Sequence, residues 1–225
     1  MITPGPITDE QAHKYTVAFR ASLEGAQMTR ARGALEDMLR TQTGRRRDRI
    51  TPEYAHPLRV AMHLFDASGC MRDAEERDAL IAAGLLHDIP EDYAHRTVDD
   101  ITVTYGPLVG QTVNGMTRKR AADPSYALEK AAYYEQMRHA RLTLLVKLAD
   151  RIHNFHSMIL VFKEARQHAY LAEARDYLLP AAAAHRKAQP DLRPVNRLLT
   201  YSLDMQIALL ETVLNSDAPH VLARP

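Results

Sequence analysis

The sequence lacks several features that would assign it to a membrane or an oxidising compartment. It has no apolar run long enough to cross a membrane, and its first residues lack the basic and apolar stretches of a signal peptide. It contains a single cysteine, Cys70, which excludes an intramolecular disulfide and suits a reducing environment. These absences predict a cytoplasmic protein with no membrane partner.

The sequence also lacks an excess of charge of either sign. It has 29 basic and 28 acidic residues in 225, for a formal net charge of +1. Without a broad positive field or a basic recognition helix, no nucleic-acid partner is expected. Any attraction for an anionic ligand must come from a local cluster of basic residues.

Glycine is sparse and β-branched runs are short, whereas alanine and leucine are abundant, so nearly the whole chain is predicted to be helical. A chain of this length that is 46% hydrophobic can form one core. We therefore predict a single all-α domain. The predicted helices are 9–20, 24–40, 56–65, 76–87, 97–105, 107–116, 125–139, 142–155, 166–179 and 194–215.

A set of residues of metal-binding types lies at the ends or centres of three of these helices. The carboxylate of Asp150 lies in the apolar segment LLVKLADRIHNF, where it would cost several kcal/mol if it were unpaired. A divalent cation would offset this cost, and so would an ion pair with Lys147 or Arg151. Two imidazoles with two carboxylates suit manganese, iron or zinc better than calcium or magnesium. The candidate ligands are His56, His87, Asp88 and Asp150.

Any one of these histidines could equally be a packed structural residue, but the joint pattern is recognisable. The chain resembles the HD-domain phosphohydrolases, and among them the hydrolase domain of the RelA/SpoT alarmone enzymes and their small single-domain relatives. The segments that carry the resemblance are HPLRVA at 56–61, LLHDIPED at 85–92, YGPLVGQTVNGMTR at 105–118 and LVKLADRIHN at 145–154.

The resemblance implies a single-domain, HD-type helical bundle with no synthetase domain, and hence a stand-alone hydrolase. It divides the chain into four parts. These are N-terminal helices at 1–44, the hydrolase core at 45–160, C-terminal helices packed on the core at 161–215, and a flexible tail at 216–225.

The resemblance also implies roles for individual residues. The four candidate ligands would bind one divalent metal, Mn²⁺ by preference, with Fe²⁺, Zn²⁺ or Co²⁺ as alternatives. Glu91 and Asp92 match the acidic pair that positions and deprotonates the attacking water, and Arg47 matches a base-stacking arginine. The full set of expected substrate-binding residues is Arg47, Arg49, Asn154, Lys147 and Arg118.

Spacing adds three expectations of its own. Asp150 and Asn154 are four residues apart and should share one face of a helix. Glu91 and Asp92 should lie on a turn just after a helix that Pro90 helps to end. His153 either hydrogen-bonds behind the metal ligands or packs as a structural residue.

For this family the implied reaction is hydrolysis of the 3′-pyrophosphate of a purine nucleotide alarmone, (p)ppGpp by default, with release of pyrophosphate. The loop of this chain reads Arg47, Asp48, Arg49, Ile50 where the family usually has arginine, lysine, serine, glycine, and Asn114 replaces an aspartate. These departures concern the base pocket, so (p)ppApp stays an alternative substrate.

Two other readings remain open. The chain could be another HD nucleotide phosphohydrolase, acting on a 5′-nucleotide, a dNTP or a dinucleotide cofactor phosphate; the Glu91-Asp92 pair and KLADRIHN argue against it. It could also be a non-catalytic nucleotide-binding or antitoxin-like module, although it retains the whole metal set. The expected partner is a small nucleotide, and the sequence leaves homo-oligomer formation open.

Overall fold

α-Helices make up nearly all of the structure, a computed structural model that describes residues 6–117, 126–159 and 161–215. These residues contain no β-strand; an isolated bridge pairs Arg45 with Pro52 in the loop before the third helix. The all-α prediction is confirmed. The predicted tail at 216–225 lies outside the described residues, as does Arg118.

The described part of the chain contains twelve α-helices. In chain order they are α1 (Asp9–Gly25), α2 (Thr29–Thr41), α3 (Ala55–Ala67), α4 (Ala74–Leu86), α5 (Ile89–Asp92), α6 (Val98–Tyr105), α7 (Pro107–Met116), α8 (Tyr126–Met137), α9 (Thr143–Met158), α10 (Glu164–Glu173), α11 (Leu179–Ala188) and α12 (Arg193–Leu214). A π-helical turn at Ala174–Leu178 joins α10 to α11, and 3₁₀ turns occupy Ser68–Cys70 and Pro190–Leu192.

Local sequence fixes where several helices begin. The Thr8 side chain accepts a hydrogen bond from the backbone N–H of Gln11, and the Gln11 side chain accepts one from the Thr8 backbone, which forms a capping box at α1. Thr97 and Asp100 form the same arrangement at α6. Asp73 caps α4 by accepting from the backbone N–H of Glu76. These caps satisfy N–H groups that have no partner within a helix.

Helix α9 is the centre of the structure, because α3, α4, α7 and α12 all pack on it. Every residue of α9 from Thr143 to His153 is buried, so Asp150 is carried into the interior. Helix α2 packs on α4 and α12 packs on α9, so helices from both ends of the chain contact the middle. The proposed boundaries at residues 44/45 and 160/161 remain predictions.

Helices α3 and α4 pack closely at Gly84. A Cβ atom at this position would lie 2.5 Å from Leu64 Cδ1 and 3.6 Å from Ala61 Cα, both on α3. The missing side chain therefore lets the two helices approach each other. The start of α3 carries His56, and the residue after α4 is His87, so this packing matters for the site.

Three sequence predictions are wrong in detail. The helix predicted at 24–40 is broken before Thr29, where Gln27 adopts a positive φ of 55°. The helix predicted to end at residue 179 continues through the π-helical turn into α11, whose first turn accepts Pro180 because proline has no N–H that would need a partner there. Glu91 and Asp92 lie on the short helix α5 instead of a turn.

Candidate metal centre

Three helices bring the predicted ligands to one point. His56 lies in the first turn of α3, His87 and Asp88 follow α4, and Asp150 lies in α9. One ligand atom from each of His56, His87 and Asp150 lies within 4.8 Å of the others, and all three residues are buried. This set of types and distances is that of a divalent metal site.

Asp88 completes the cluster from its more open side. Its Oδ1 lies 3.1 Å from His87 Nε2 and its Oδ2 lies 3.5 Å from His56 Nε2. Asp150 Oδ1 lies 3.2 Å from His56 Nε2 and 4.0 Å from His87 Nε2. Since Asp88 is 32% exposed and Asp150 only 8%, a ligand can reach the cluster past Asp88.

The protonation of His87 favours a cation. Its Nδ1 lies 2.8 Å from the backbone carbonyl oxygen of Gly84, which places the proton on Nδ1 and a lone pair on Nε2. Nε2 is buried and has no hydrogen-bond partner among the described residues. A lone pair that faces carboxylates is unfavourable without a positive charge between them. The residues therefore fit a divalent metal bound through Nε2.

His153 lies behind His56, as one of the two sequence readings expected. The Nδ1 atoms of the two rings are 2.7 Å apart, so one ring donates to the other. Burial lowers the pKa of both histidines, and the Arg46 guanidinium lowers both further. Both rings are therefore neutral, and their hydrogen bond holds Nε2 of His56 towards Asp88 and Asp150.

The Asp150 carboxylate is held by two neighbours on its own helix. Burial would raise the pKa of Asp150, but the Lys147 ammonium beside it holds that pKa well below its usual range. Lys147 Nζ lies 2.9 Å from Asp150 Oδ2, and Asn154 Nδ2 donates to Asp150 Oδ1 at 2.5 Å. The expectation that Asp150 and Asn154 share a face is confirmed. Lys147, expected to bind substrate, is paired with the candidate ligand Asp150 and also lines the smaller cavity, so its substrate role stays a prediction.

Two cavities meet at the cluster. The larger has a volume of about 500 Å³ and the smaller about 250 Å³. Asp88, Glu91, Asp150 and Asn154 line both. A molecule in either cavity would therefore contact the candidate ligands and Glu91 at once.

Not all of the predicted catalytic and substrate-binding residues line the two cavities. Arg47 and Asp92 line the larger cavity, and Lys147 lines the smaller. The Arg47 guanidinium lies 5.2 Å from the centre of the Phe162 ring, an aromatic contact of the type predicted for a purine. Arg49 is exposed, has a positive φ of 60° and lines neither cavity. Its role stays a prediction.

Sequence reasoning did not assign two arginines that lie at the site. Arg46 lines the larger cavity; burial lowers its pKa while Asp88 and Asp150 act in the opposite direction, so its charge faces the cluster. Arg166 lines both cavities, with its guanidinium 4.2 Å from the centre of the Phe162 ring. Within the described segments Arg166 forms no ion pair. Arg46 belongs to a visible arginine run, but nothing local marks Arg166.

None of the helices in the described part of the chain has the length and apolar character that a membrane span requires.

Comparison with known proteins agrees with this geometry. The family model described as HD domain matches residues 31–187. The chain is 33% identical over 149 residues to the GTP pyrophosphokinase rsh of Brucella ovis, a match that covers 63% of this chain and 18% of that protein. It is 32% identical over 144 residues to the probable guanosine-3′,5′-bis(diphosphate) 3′-pyrophosphohydrolase of Synechocystis, covering 61% of this chain and 18% of that protein.

A GTP pyrophosphokinase of Streptomyces antibioticus is 30% identical over 151 residues, which cover 65% of this chain and 16% of that protein. The chain therefore spans less than a fifth of the length of these relatives. The expected relationship to the RelA/SpoT hydrolase domain is confirmed.

Proposed function

Because the chain belongs to the HD-domain family, we propose that it is a metal-dependent hydrolase that removes the 3′-pyrophosphate of a purine nucleotide alarmone. The default substrate is (p)ppGpp, with (p)ppApp as the alternative. The observation that carries this proposal is the buried group of His56, His87 and Asp150 beside a cavity of about 500 Å³. One relative is itself named as a probable guanosine-3′,5′-bis(diphosphate) 3′-pyrophosphohydrolase.

The metal would be held by His56, His87, Asp88 and Asp150, and we propose Mn²⁺, with Fe²⁺, Zn²⁺ and Co²⁺ as alternatives. When bound, such a metal polarises a phosphoryl oxygen and lowers the pKa of water. Lys147 and Asn154 hold the Asp150 carboxylate from two sides. His153 holds the His56 ring, so three side chains fix the orientation of two ligands.

Glu91 would accept the proton of the attacking water. It lines both cavities, next to Asp88 and Asp150. A carboxylate in that position can take a proton from a water directed at phosphorus, which is general base catalysis. Asp92, the next residue on α5, lines the larger cavity and would orient the same water.

Arginines would neutralise the phosphates. Phosphoryl transfer depends mainly on positioning and on stabilising negative charge. Arg46, Arg47 and Arg166 all line the larger cavity. Arg47 would stack on the purine, and Arg166, which is held against Phe162 and Tyr170, would contact the phosphates. The cavity volume is in the range of roughly 300–1,000 Å³ common for small-molecule sites.

The test is a substrate panel with product identification, run with Mn²⁺ and after chelation. Pyrophosphate released from (p)ppGpp or (p)ppApp only in the presence of metal is the expected result. Orthophosphate released from 5′-nucleotides or dNTPs would favour another HD nucleotide phosphohydrolase. Tight nucleotide binding without any turnover would favour the non-catalytic module. Either outcome would overturn the proposal.

A further inference from the structure

The outward face of α12 carries an apolar stripe that the rest of the described chain leaves open. Eight large apolar side chains are exposed among the described residues, and four of them lie on this one helix. Their exposed fractions are 53% for Leu198, 67% for Tyr201, 55% for Met205 and 49% for Leu209. With 3.6 residues per turn, these four lie within roughly 80° of one another around the helix axis. We call them the α12 stripe.

The opposite face of α12 is already used. Leu199, Leu203, Ile207 and Leu210 are buried, and this inner face packs on α9. The stripe therefore lies on the side of the helix that points away from the core. Soluble monomers rarely expose contiguous apolar patches of this kind, and such patches mark interaction sites.

We propose that Leu198, Tyr201 and Met205 of the α12 stripe pack against α12 of a second copy of this chain, with the two α12 helices antiparallel about a twofold axis. Leu198, Tyr201 and Met205 follow the alternating steps of three and four residues that form the seam of paired helices. A patch that is complementary to itself forms a closed dimer under twofold symmetry. With Leu198 packed against Tyr201 of the second copy, residues 193–206 of the two helices overlap, which at 1.5 Å per residue gives a contact line about 21 Å long.

Charges beside the stripe favour the antiparallel direction. Arg197 and Asp204 lie seven residues apart on the same flank of the stripe, so they occupy equivalent positions of the repeat. Both are exposed, and neither forms an ion pair in the part of the chain that the structure describes. The next residue on this flank, Glu211, is already paired with Arg175.

The two helix directions treat these charges differently. In a parallel pair in register, each residue lies level with its own counterpart, so like charges are level with like. In an antiparallel pair with Leu198 packed against Tyr201 of the second copy, Arg197 lies two residues, about 3 Å along the axis, from the level of Asp204 of the second copy, and the two flanks face each other. Symmetry repeats this pairing, which gives two attractive contacts. The charge pattern thus fits a reversed copy of the same helix.

Measurement of the mass in solution tests the contact. Sedimentation velocity on the full chain, over a wide range of concentration, should show a dimer. The double variant Tyr201→Glu/Met205→Glu should be monomeric over that range, because it places charges in the seam. Val103→Glu is the matched control: Val103 is 87% exposed on α6, far from the stripe in sequence, and its replacement should leave the dimer intact.

A second set of variants tests the orientation. Arg197→Glu and Asp204→Arg should each raise the dimer dissociation constant by about tenfold or more, because like charges then face each other. The charge-swapped double variant should return the constant to near the wild-type value. All these positions are exposed, so circular dichroism should show unchanged helicity.

Two outcomes would overturn the proposal. A wild-type chain that is monomeric at every concentration would mean that something else covers the stripe, such as residues 216–225 or a different protein. A dimer unaffected by the Tyr201→Glu/Met205→Glu variant would place the interface elsewhere. If the single charge variants weaken the dimer but the swap does not restore it, the antiparallel arrangement is wrong.

Discussion

The Nδ1 atoms of His56 and His153 lie 2.7 Å apart in the interior of the protein. Two neutral imidazoles at this distance share one proton, and the shared proton fixes the direction of both rings. Nε2 of His56 is thereby pointed at Asp88 and Asp150. His153 lines the larger cavity beside His56, and the position of a candidate metal ligand depends on it.

Replacing His153 should weaken metal binding without removing it. His153→Ala takes away the partner that orients His56, and loss of such a partner typically costs about 10–100-fold in metal affinity. Competition with a chelator, followed by elemental analysis, measures this change. His168→Ala on the exposed side of α10 is the matched control and should bind metal like the wild type. Unchanged affinity of the His153 variant would make that residue a packing residue only.

Replacing Asp150 should remove the metal. Asp150→Asn removes one carboxylate of the cluster, so the metal content should fall. It also takes from the buried Lys147 ammonium its anionic partner Asp150, so the free energy of unfolding should fall. Breaking a buried ion pair from one side costs about 3–5 kcal/mol. Elemental analysis and urea unfolding measure the two effects. The exposed Asp66→Asn serves as the control, and an Asp150 variant that stays metal-loaded and active would contradict the assigned ligand set.

Replacing Glu91 should separate metal binding from turnover. Glu91→Gln keeps the size of the side chain but cannot accept the proton, so the rate should fall by about 10²–10⁴-fold while metal content and fold are retained. Steady-state kinetics on the substrate found by the panel provide the measurement, with the exposed Glu164→Gln as the control. Near-normal turnover would move the role of general base to Asp92.

Arg166 should contribute to substrate binding. Arg166→Ala should lower kcat/KM by about 10–100-fold, since hydrogen bonds to charged groups are worth roughly 1.5–3 kcal/mol. Its metal content should not change, because Arg166 contacts aromatic rings and not the ligands. The same assay on Arg49→Ala tests the predicted role of Arg49, which lines neither cavity. An Arg166 variant with normal kinetics would assign that residue to the surface.

Stability should fall in mild acid because of His63. Burial, followed by the Arg59 charge, lowers the pKa of His63 to about 4. The unfolded chain thus binds a proton that the folded chain does not, so this contribution is complete above about pH 6.5 and is lost as the pH falls towards 4. The slope from one such group is at most about 1.4 kcal/mol per pH unit. Urea unfolding at several pH values should show a shallower decline for His63→Gln.

The exposed His13→Gln is the control for the His63 measurement and should leave the pH dependence as it is. Other buried histidines, including His185, also have lowered pKa values, so a decline should persist in the His63 variant. An identical slope in the His63 variant and the wild type would show that His63 is protonated in the folded state.

The helical class could be predicted because it depends on short-range information, whereas the convergence of ligands from three distant helices was expected from the resemblance to the HD-domain phosphohydrolases. The apolar period of α9 places Asp150 inside, and the spacing of Asp150 and Asn154 sets their shared face. The break at Gln27 has no comparable signal, since the residue adopts a left-handed conformation without being glycine. The position of Arg166 depends on how α10 packs, which no local pattern reveals.

The role of Lys147 shows a different limit of what can be predicted from the sequence. A lysine near an expected phosphate site is readily predicted to bind substrate, but the spacing of three residues between Lys147 and Asp150 also permits an ion pair along the helix. Burial accounts for the ion pair, because a desolvated ammonium needs the nearest anion, while the substrate role stays a prediction. The extent of that burial depends on the helices packed around α9.

Gly84 makes the fold of this protein and its chemistry vulnerable to the same single change. Its missing side chain lets α3, which carries His56, pack closely on α4. Its backbone carbonyl oxygen accepts a hydrogen bond from Nδ1–H of His87. A bulkier residue there would displace both imidazoles together, although residue 84 is not a ligand. In a screen for inactive variants, position 84 should therefore appear beside the ligands themselves, and its substitutions should not be rescued by excess metal.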